Sequence, residues 1–212
     1  KVAGTSIEKY LGIYGQHDNF STEIGFGKYK TNNSDYLLQH LSLKQLVELR
    51  LLTQYETDSF FKFCFVRNPW ERAVSDYKWQ KRVLKKKITF REYLLHCNKH
   101  VKLSKNKKTI NFENCHFVPQ SWYVFNNNDS LLVDFVGKYE RLEEDMNFVL
   151  NKLNINRKKQ LSNHNKSKHT PYFLYYLDLR NIFLVKRIYL EDIVNFNYHF
   201  FKTNSFNLFF KG

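Results

Sequence analysis

Residues 61–79, FKFCFVRNPWERAVSDYKW, constrain this chain more than any other stretch. Phe61, Phe63, Phe65 and Val66 make, with Cys64, an apolar run too short for an independent helix and rich in strand formers. Arg67 ends it. Asn68 is a good N-cap, Pro69 suits the first helical position and Glu71 the first turn, after which Trp70, Ala73, Val74, Tyr77 and Lys78 carry helical signals. The reading is a buried strand that delivers Arg67 to the mouth of a helix. Such a junction collects a guanidinium, free backbone N–H groups and the positive end of a helix dipole, an arrangement that suits an anion. Ser75, two turns on, adds a hydroxyl. Arg72 has Asp76 four residues beyond it, the spacing of a surface ion pair.

The rest of the chain is compatible with that core. At 212 residues, 42% of them hydrophobic, a single domain spanning 1–212 with a sizeable core is expected. The formal charge of +14 and a pI near 9.6 imply an anionic partner: nucleotide, nucleic acid, acidic glycan or membrane surface. Three cysteines are too few for a disulfide scaffold. Cys64 belongs to the apolar strand; Cys97 and Cys115 could pair in an oxidising compartment, but nothing requires it. No stretch has transmembrane length, and no signal peptide is visible. The first residues already lie inside a motif, so a strand preceding Lys1 is expected upstream.

That first stretch, KVAGTSIE, is a turn of small residues running into a helix, with Thr5 and Glu8 spaced as a capping box. Residues 15–35 carry no periodicity and read as a loop. Ser42 with Gln45 opens one helix, and Thr89 with Glu92 opens another that ends near Cys97. Residues 98–109 are Lys-rich and read as a solvated loop, and 110–125 as irregular and aromatic. Leu131–Val136 is a strand, Glu140–Leu153 an amphipathic helix with Met146, Val149 and Leu150 inward, and Thr170-Pro171 opens a helical region reaching about Asn195. Strands alternating with helices predict an α/β fold: a central, mainly parallel sheet flanked by helices, with a phosphate-binding strand–loop–helix.

A glycine-containing turn at a helix N-terminus can cradle phosphate through backbone N–H groups. The Walker A pattern needs a Lys after its second Gly; here the Lys precedes the Gly and nothing basic follows, which argues against a nucleoside triphosphatase or nucleotide kinase. KVAGTSIE and FVRNPWERAVSDY together resemble the carbohydrate-type sulfotransferases, which use 3′-phosphoadenosine 5′-phosphosulfate (PAPS). The first resembles that family's 5′-phosphosulfate loop. The second resembles its 3′-phosphate motif, an Arg followed eight residues later by a Ser, here Arg67 and Ser75. VDFVGKYERLEEDM resembles the family's strand–helix, and HNKSKHTPYFLYY with IYLEDIVNFNYHF its C-terminal part.

The resemblance implies roles by position. Lys1 would contact the transferring group and the leaving phosphate. Val2, Ala3, Gly4, Thr5 and Ser6 would hold the 5′-phosphosulfate, Arg67 and Ser75 the 3′-phosphate, and Lys166, Ser167 and Lys168 would close over the nucleotide. A sulfuryl group carries less charge than a phosphoryl group, and no His/Cys/Asp cluster has metal-ligand spacing, so no metal is expected to be required. The acceptor hydroxyl needs a general base. His40, in a stretch HLSLKQL that also resembles the family, is the first candidate, with Glu8, His17 and His116 as rivals. His116, Gln120 and Trp122 are expected to line the acceptor cleft, while His164 and His169 read as solvated or near the nucleotide.

The acceptor would be a carbohydrate, which the basic run from Lys81 to Lys108 would suit if it is itself anionic. No nucleic-acid motif is present, so a non-catalytic module binding nucleic acid or glycan is the competing class. A bacterial source would imply cytoplasm, an animal one the Golgi lumen with an anchor outside this sequence.

Overall fold

The computed structural model describes residues 2–12, 28–30, 35–83, 85, 87–156 and 170–201. In chain order these form α1 (Gly4–Leu11), β1 (Lys28–Lys30), β2 (Asp35–Leu37), α2 (Leu43–Glu48), α3 (Gln54–Ser59), β3 (Phe63–Val66), α4 (Pro69–Val83), α5 (Phe90–Ser104), α6 (Ser121–Val124), β4 (Phe135–Lys138), α7 (Leu142–Lys152), α8 (Arg180–Ile188) and α9 (Leu190–Asn195). Short 3₁₀ turns join several of them, at Leu38–His40, Lys105–Lys107, Tyr139–Arg141 and Tyr172–Tyr176. No helix among the described residues is long and apolar enough to cross a membrane.

Strands β3 and β4 pair in parallel, Phe63 opposite Phe135 and Val66 opposite Lys138. Side chains alternate across a strand, and here the alternation divides the core in two. Phe63, Phe65 and Phe135 pack with Met146, Val149 and Leu150 of α7 and with Val2, Ile7, Tyr10 and Leu11 of the first stretch. Cys64, Val66 and Val136 belong instead to the larger cluster built on α4, α5 and α8, with Trp70, Tyr93, Leu94, Val185 and Ile188. Helices therefore cover both faces of a small parallel sheet, and the α/β expectation holds at that level. Phe65 lies opposite Gly137 in the ladder. A Cβ at Gly137 would stand 2.5 Å from the Phe65 ring, so the absence of a side chain makes room for the aromatic.

The strand-to-helix junction is held from three sides. The Asn68 Oδ1 accepts from the backbone N–H of Trp70 (3.0 Å) and Glu71 (3.4 Å), as an N-cap should. The Asn68 N–H donates to Glu140 Oε1 at 2.8 Å, and its side-chain Nδ2 donates to the His199 carbonyl at 2.8 Å. One residue earlier, Gln120 brackets Arg67: its Oε1 accepts the Arg67 N–H and its Nε2 donates to the Arg67 carbonyl, both at 2.9 Å. Gln120 is fixed in turn by Asp192 of α9, which is fully buried. The Asp192 carboxylate accepts from the backbone N–H groups of Gln120 (2.9 Å) and Ser121 (2.8 Å).

Several local expectations need correction. Helix α1 starts one residue before Thr5. Its N-cap is Ala3, in the left-handed region at φ 66°, with no side-chain cap, so the Thr5–Glu8 capping box does not form. The Ser42–Gln45 and Thr89–Glu92 boxes do form, and so does an unforeseen Thr53–Glu56 box that opens α3. The stretch expected to be loop, residues 15–35, includes β1, which pairs antiparallel with β2. Helix α5 runs past Cys97 to Ser104, because Val101 still falls on its buried face. The predicted strand at 131–136 lies later, at Phe135–Lys138, with Gly137 inside it; Leu131 makes only an isolated bridge to Phe125. Arg72 is no surface residue: it is buried, and its Nη2 donates to the carbonyls of His116 (3.2 Å) and Val118 (2.9 Å). Cys64, Cys97 and Cys115 are all free thiols.

Two outcomes test this account by chemical denaturation. Gly137→Val should cost about 1–3 kcal/mol through overpacking against Phe65. Asp192→Ala should cost about 3–5 kcal/mol, because it strands the buried Arg72 guanidinium and two backbone N–H groups.

Candidate functional site

Helix α4 is buried almost all round. Half-exposed positions within it are Glu71, Ser75, Lys78 and Trp79, and its last turn is exposed at Lys81 and Arg82. Arg67 precedes the helix at the same pitch, so Arg67, Glu71, Ser75 and Lys78 follow one another at helical spacing along one face. The Arg67 Nε donates to Glu71 Oε2 at 3.4 Å, and its guanidinium lies 4.2 Å from the centre of the Tyr139 ring. The Lys78 Nζ donates to the Thr170 carbonyl at 3.4 Å and sits 5.1 Å over the Tyr175 ring. Desolvation and then the charge of Arg67 pull the Lys78 ammonium below the ordinary lysine range. Two cations thus feel one another along a face that carries a serine hydroxyl between them in sequence. A bound anion would relieve that repulsion. No sequence expectation fell on Lys78; its eleven-residue separation from Arg67, three helical turns, was the available signal.

The first stretch meets the opposite face of the sheet through Val2. The Ala3 carbonyl accepts the N–H groups of Ser6 (2.8 Å) and Ile7 (3.0 Å), which closes the first turn of α1. The N–H groups at the start of a helix have no carbonyl partner within it. Gly4 and Thr5 are exposed, and a Cβ on Gly4 would meet nothing within 4 Å among the described residues. Lys1, His17, His164, Lys166, Ser167, Lys168 and His169 lie outside the described residues.

A second constellation joins segments far apart in sequence. His40, at the end of the Leu38–His40 turn, meets the His116 ring edge-on at 4.9 Å between centroids. Trp79 of α4 stacks on His116 at 4.9 Å and 13°. Asp76, one helical position from Ser75, is buried; its Oδ2 accepts from Tyr93 Oη (3.0 Å) and Gln80 Nε2 (3.2 Å). The other oxygen, Oδ1, lies 3.3 Å from His116 Nδ1 and has no other hydrogen-bond partner among the described residues. Burial pushes the Asp76 carboxyl up, but His116, Tyr93 and Arg72 outweigh burial and hold it below the usual range. Cys115 completes the group. The ligand atoms of His40, Cys115 and His116 all lie within 4.8 Å of one another. This overturns the expectation that the chain has no metal-ligand cluster and requires no metal. The sequence hid it because His40 is far from the adjacent Cys115 and His116, and only the tertiary fold closes that gap. Burial pushes the Cys115 thiol up to about 11, so by itself it is a neutral thiol near neutral pH.

Of the residues expected around an acceptor, His116 is half-exposed and stands beside His40. Gln120 and Trp122 are buried. Gln120 is occupied by Arg67 and Asp192, and the Trp122 indole N–H donates to Glu191 at 3.1 Å.

An uncharacterized protein from Archaeoglobus fulgidus is 36% identical over 99 residues, covering 46% of this chain and 71% of that protein. No solved structure matches. The sequence profile of the sulfotransferase family matches residues 1–199, and with nearly the whole chain covered, this protein belongs to the sulfotransferase family.

Proposed function

We propose that this chain moves the sulfuryl group of PAPS to a hydroxyl of a carbohydrate acceptor. The observation that carries the reading is the half-exposed face of α4, where Arg67 and Lys78 flank Ser75 at helical spacing. That arrangement fits a dianionic 3′-phosphate: Arg67 and Lys78 supply charge-assisted donors and Ser75 a neutral one. Glu71 keeps Arg67 in position through its 3.4 Å contact. Thr170, two residues after Lys168, contacts Lys78, which favours Lys166, Ser167 and Lys168 as the segment that covers the nucleotide.

The other end of the donor is assigned to the mouth of α1. Backbone N–H groups of Val2, Ala3, Gly4 and Thr5, with the hydroxyls of Thr5 and Ser6, would hold the 5′-phosphosulfate. Lys1 would stabilise charge on the bridging oxygen. The acceptor oxygen attacks sulfur in line; a new O–S bond forms as the bond to the 5′-phosphate breaks, leaving 3′,5′-adenosine bisphosphate. The acceptor proton passes to His40, the proposed base, with His116 beside it. Catalysis of this kind rests on positioning and electrostatics rather than on a covalent intermediate. The carbohydrate acceptor follows the resemblance of the C-terminal stretches to the carbohydrate-type enzymes.

Isothermal titration with 3′,5′-adenosine bisphosphate tests the nucleotide end. Arg67→Ala should weaken binding about tenfold to a hundredfold, the worth of a charge-assisted contact, and Lys78→Ala should weaken it in the same direction; unchanged affinity in both variants would remove the site. A radiolabelled-sulfate transfer screen over a glycan panel tests the reaction. Lys1→Ala should abolish most turnover while leaving bisphosphate affinity nearly intact, and a normal rate would sink its role.

A further inference from the structure

Three features of the His40–Cys115–His116 group go beyond a chance meeting of polar side chains. The donor set is two imidazoles and one thiol, with all ligand atoms within 4.8 Å of one another. Nitrogen and sulfur donors select borderline d-block cations such as zinc, whereas magnesium and calcium prefer oxygen. The ligands come from two separate segments, the 3₁₀ turn ending at His40 and the loop between α5 and α6. Finally, the outer partner that metal-bound histidines usually have is already in place. Asp76 is buried, and its otherwise unpartnered Oδ1 stands 3.3 Å from His116 Nδ1, which leaves Nε2 as that ring's free lone pair. A carboxylate in this position fixes the tautomer and orientation of a ligating imidazole. Stacking on Trp79 holds the ring plane.

We propose that His40, Cys115 and His116 form a binding site for a zinc-class divalent cation, with Asp76 as the carboxylate that orients His116. Three protein ligands leave a fourth position of a tetrahedral ion for water or another small donor. The cation would tie the Leu38–His40 turn to the 115–116 loop and thereby couple α2, which follows that turn, to the core beneath α4. Under the reaction proposed above, the ion and the acceptor proton would compete for the His40 lone pair, so occupancy would slow transfer; that consequence rests on the sulfuryl-transfer reading, whereas cation binding does not.

Cobalt(II) chloride is the probe, added to the full chain freed of metal by chelation and kept reduced. The expected result is one equivalent bound, visible d–d bands of a four-coordinate ion and a near-ultraviolet thiolate-to-cobalt charge-transfer band displaced by zinc chloride. The charge-transfer band should vanish in Cys115→Ser, and binding should fall at least tenfold in His40→Ala, a half-exposed position whose variant should fold. It should persist in a His96→Ala, His100→Ala double variant, because that neighbouring pair on α5 offers imidazole alone. Zinc should also raise the melting temperature of the parent chain but not of His40→Ala. Absence of the charge-transfer band in the parent, or its survival in Cys115→Ser, overturns the site. A band with zinc-insensitive transfer keeps the site and removes His40 as the proton acceptor.

Discussion

The molecule depends on one buried carboxylate. Asp192 lies without solvent exposure and receives the backbone N–H groups of Gln120 and Ser121. Arg72 approaches it at 3.9 Å, too far for a hydrogen bond but close enough to balance its charge. Burial raises the Asp192 carboxyl above its ordinary range, and Arg72 with the two amides draws it back only in part. A lone charge there would be prohibitive; with those partners it becomes a fixed point. Through Gln120 it sets the backbone of Arg67, and through Arg72 it reaches the carbonyls of His116 and Val118. The start of α4 at Arg67 and the histidine cluster are therefore hung from the same buried charges.

The sheet supplies the second constraint. Its two strands are short, but each alternates between two apolar clusters, so a one-residue slip would exchange the partners of Phe65 and Val66. The fit of the Phe65 ring over Gly137 opposes such a slip. A fixed register fixes where β3 ends, and hence where Arg67 leaves the core. Helix α1 packs on one face of this sheet and α4 on the other.

Side-chain direction then separates two sets of residues along α4. Its half-exposed face carries Glu71, Ser75 and Lys78, following Arg67, and is the face we propose for the anion. One position away, Asp76 turns inward toward His116, which with His40 and Cys115 makes up the proposed cation site. Adjacent residues on a helix point about 100° apart, which is why Ser75 is half-exposed while Asp76 is buried against His116.

Much of this was legible in the sequence because it is local. The apolar run before Arg67, the Asn68 cap, the Pro69 start and the Ser42 and Thr89 boxes are read within a few residues, and their hydrogen bonds form within the same few residues. The Thr5–Glu8 pattern failed because the backbone turned at Ala3, two residues too early for Thr5 to cap. Arg72 and Asp76 look like a surface pair at helical spacing, and only packing shows that they face carbonyls, a histidine and a second carboxylate. The His40–Cys115–His116 group was beyond sequence for the same reason. Its spacing follows from how the Leu38–His40 turn meets the loop before α6, and that meeting is made by the packing of both segments in three dimensions.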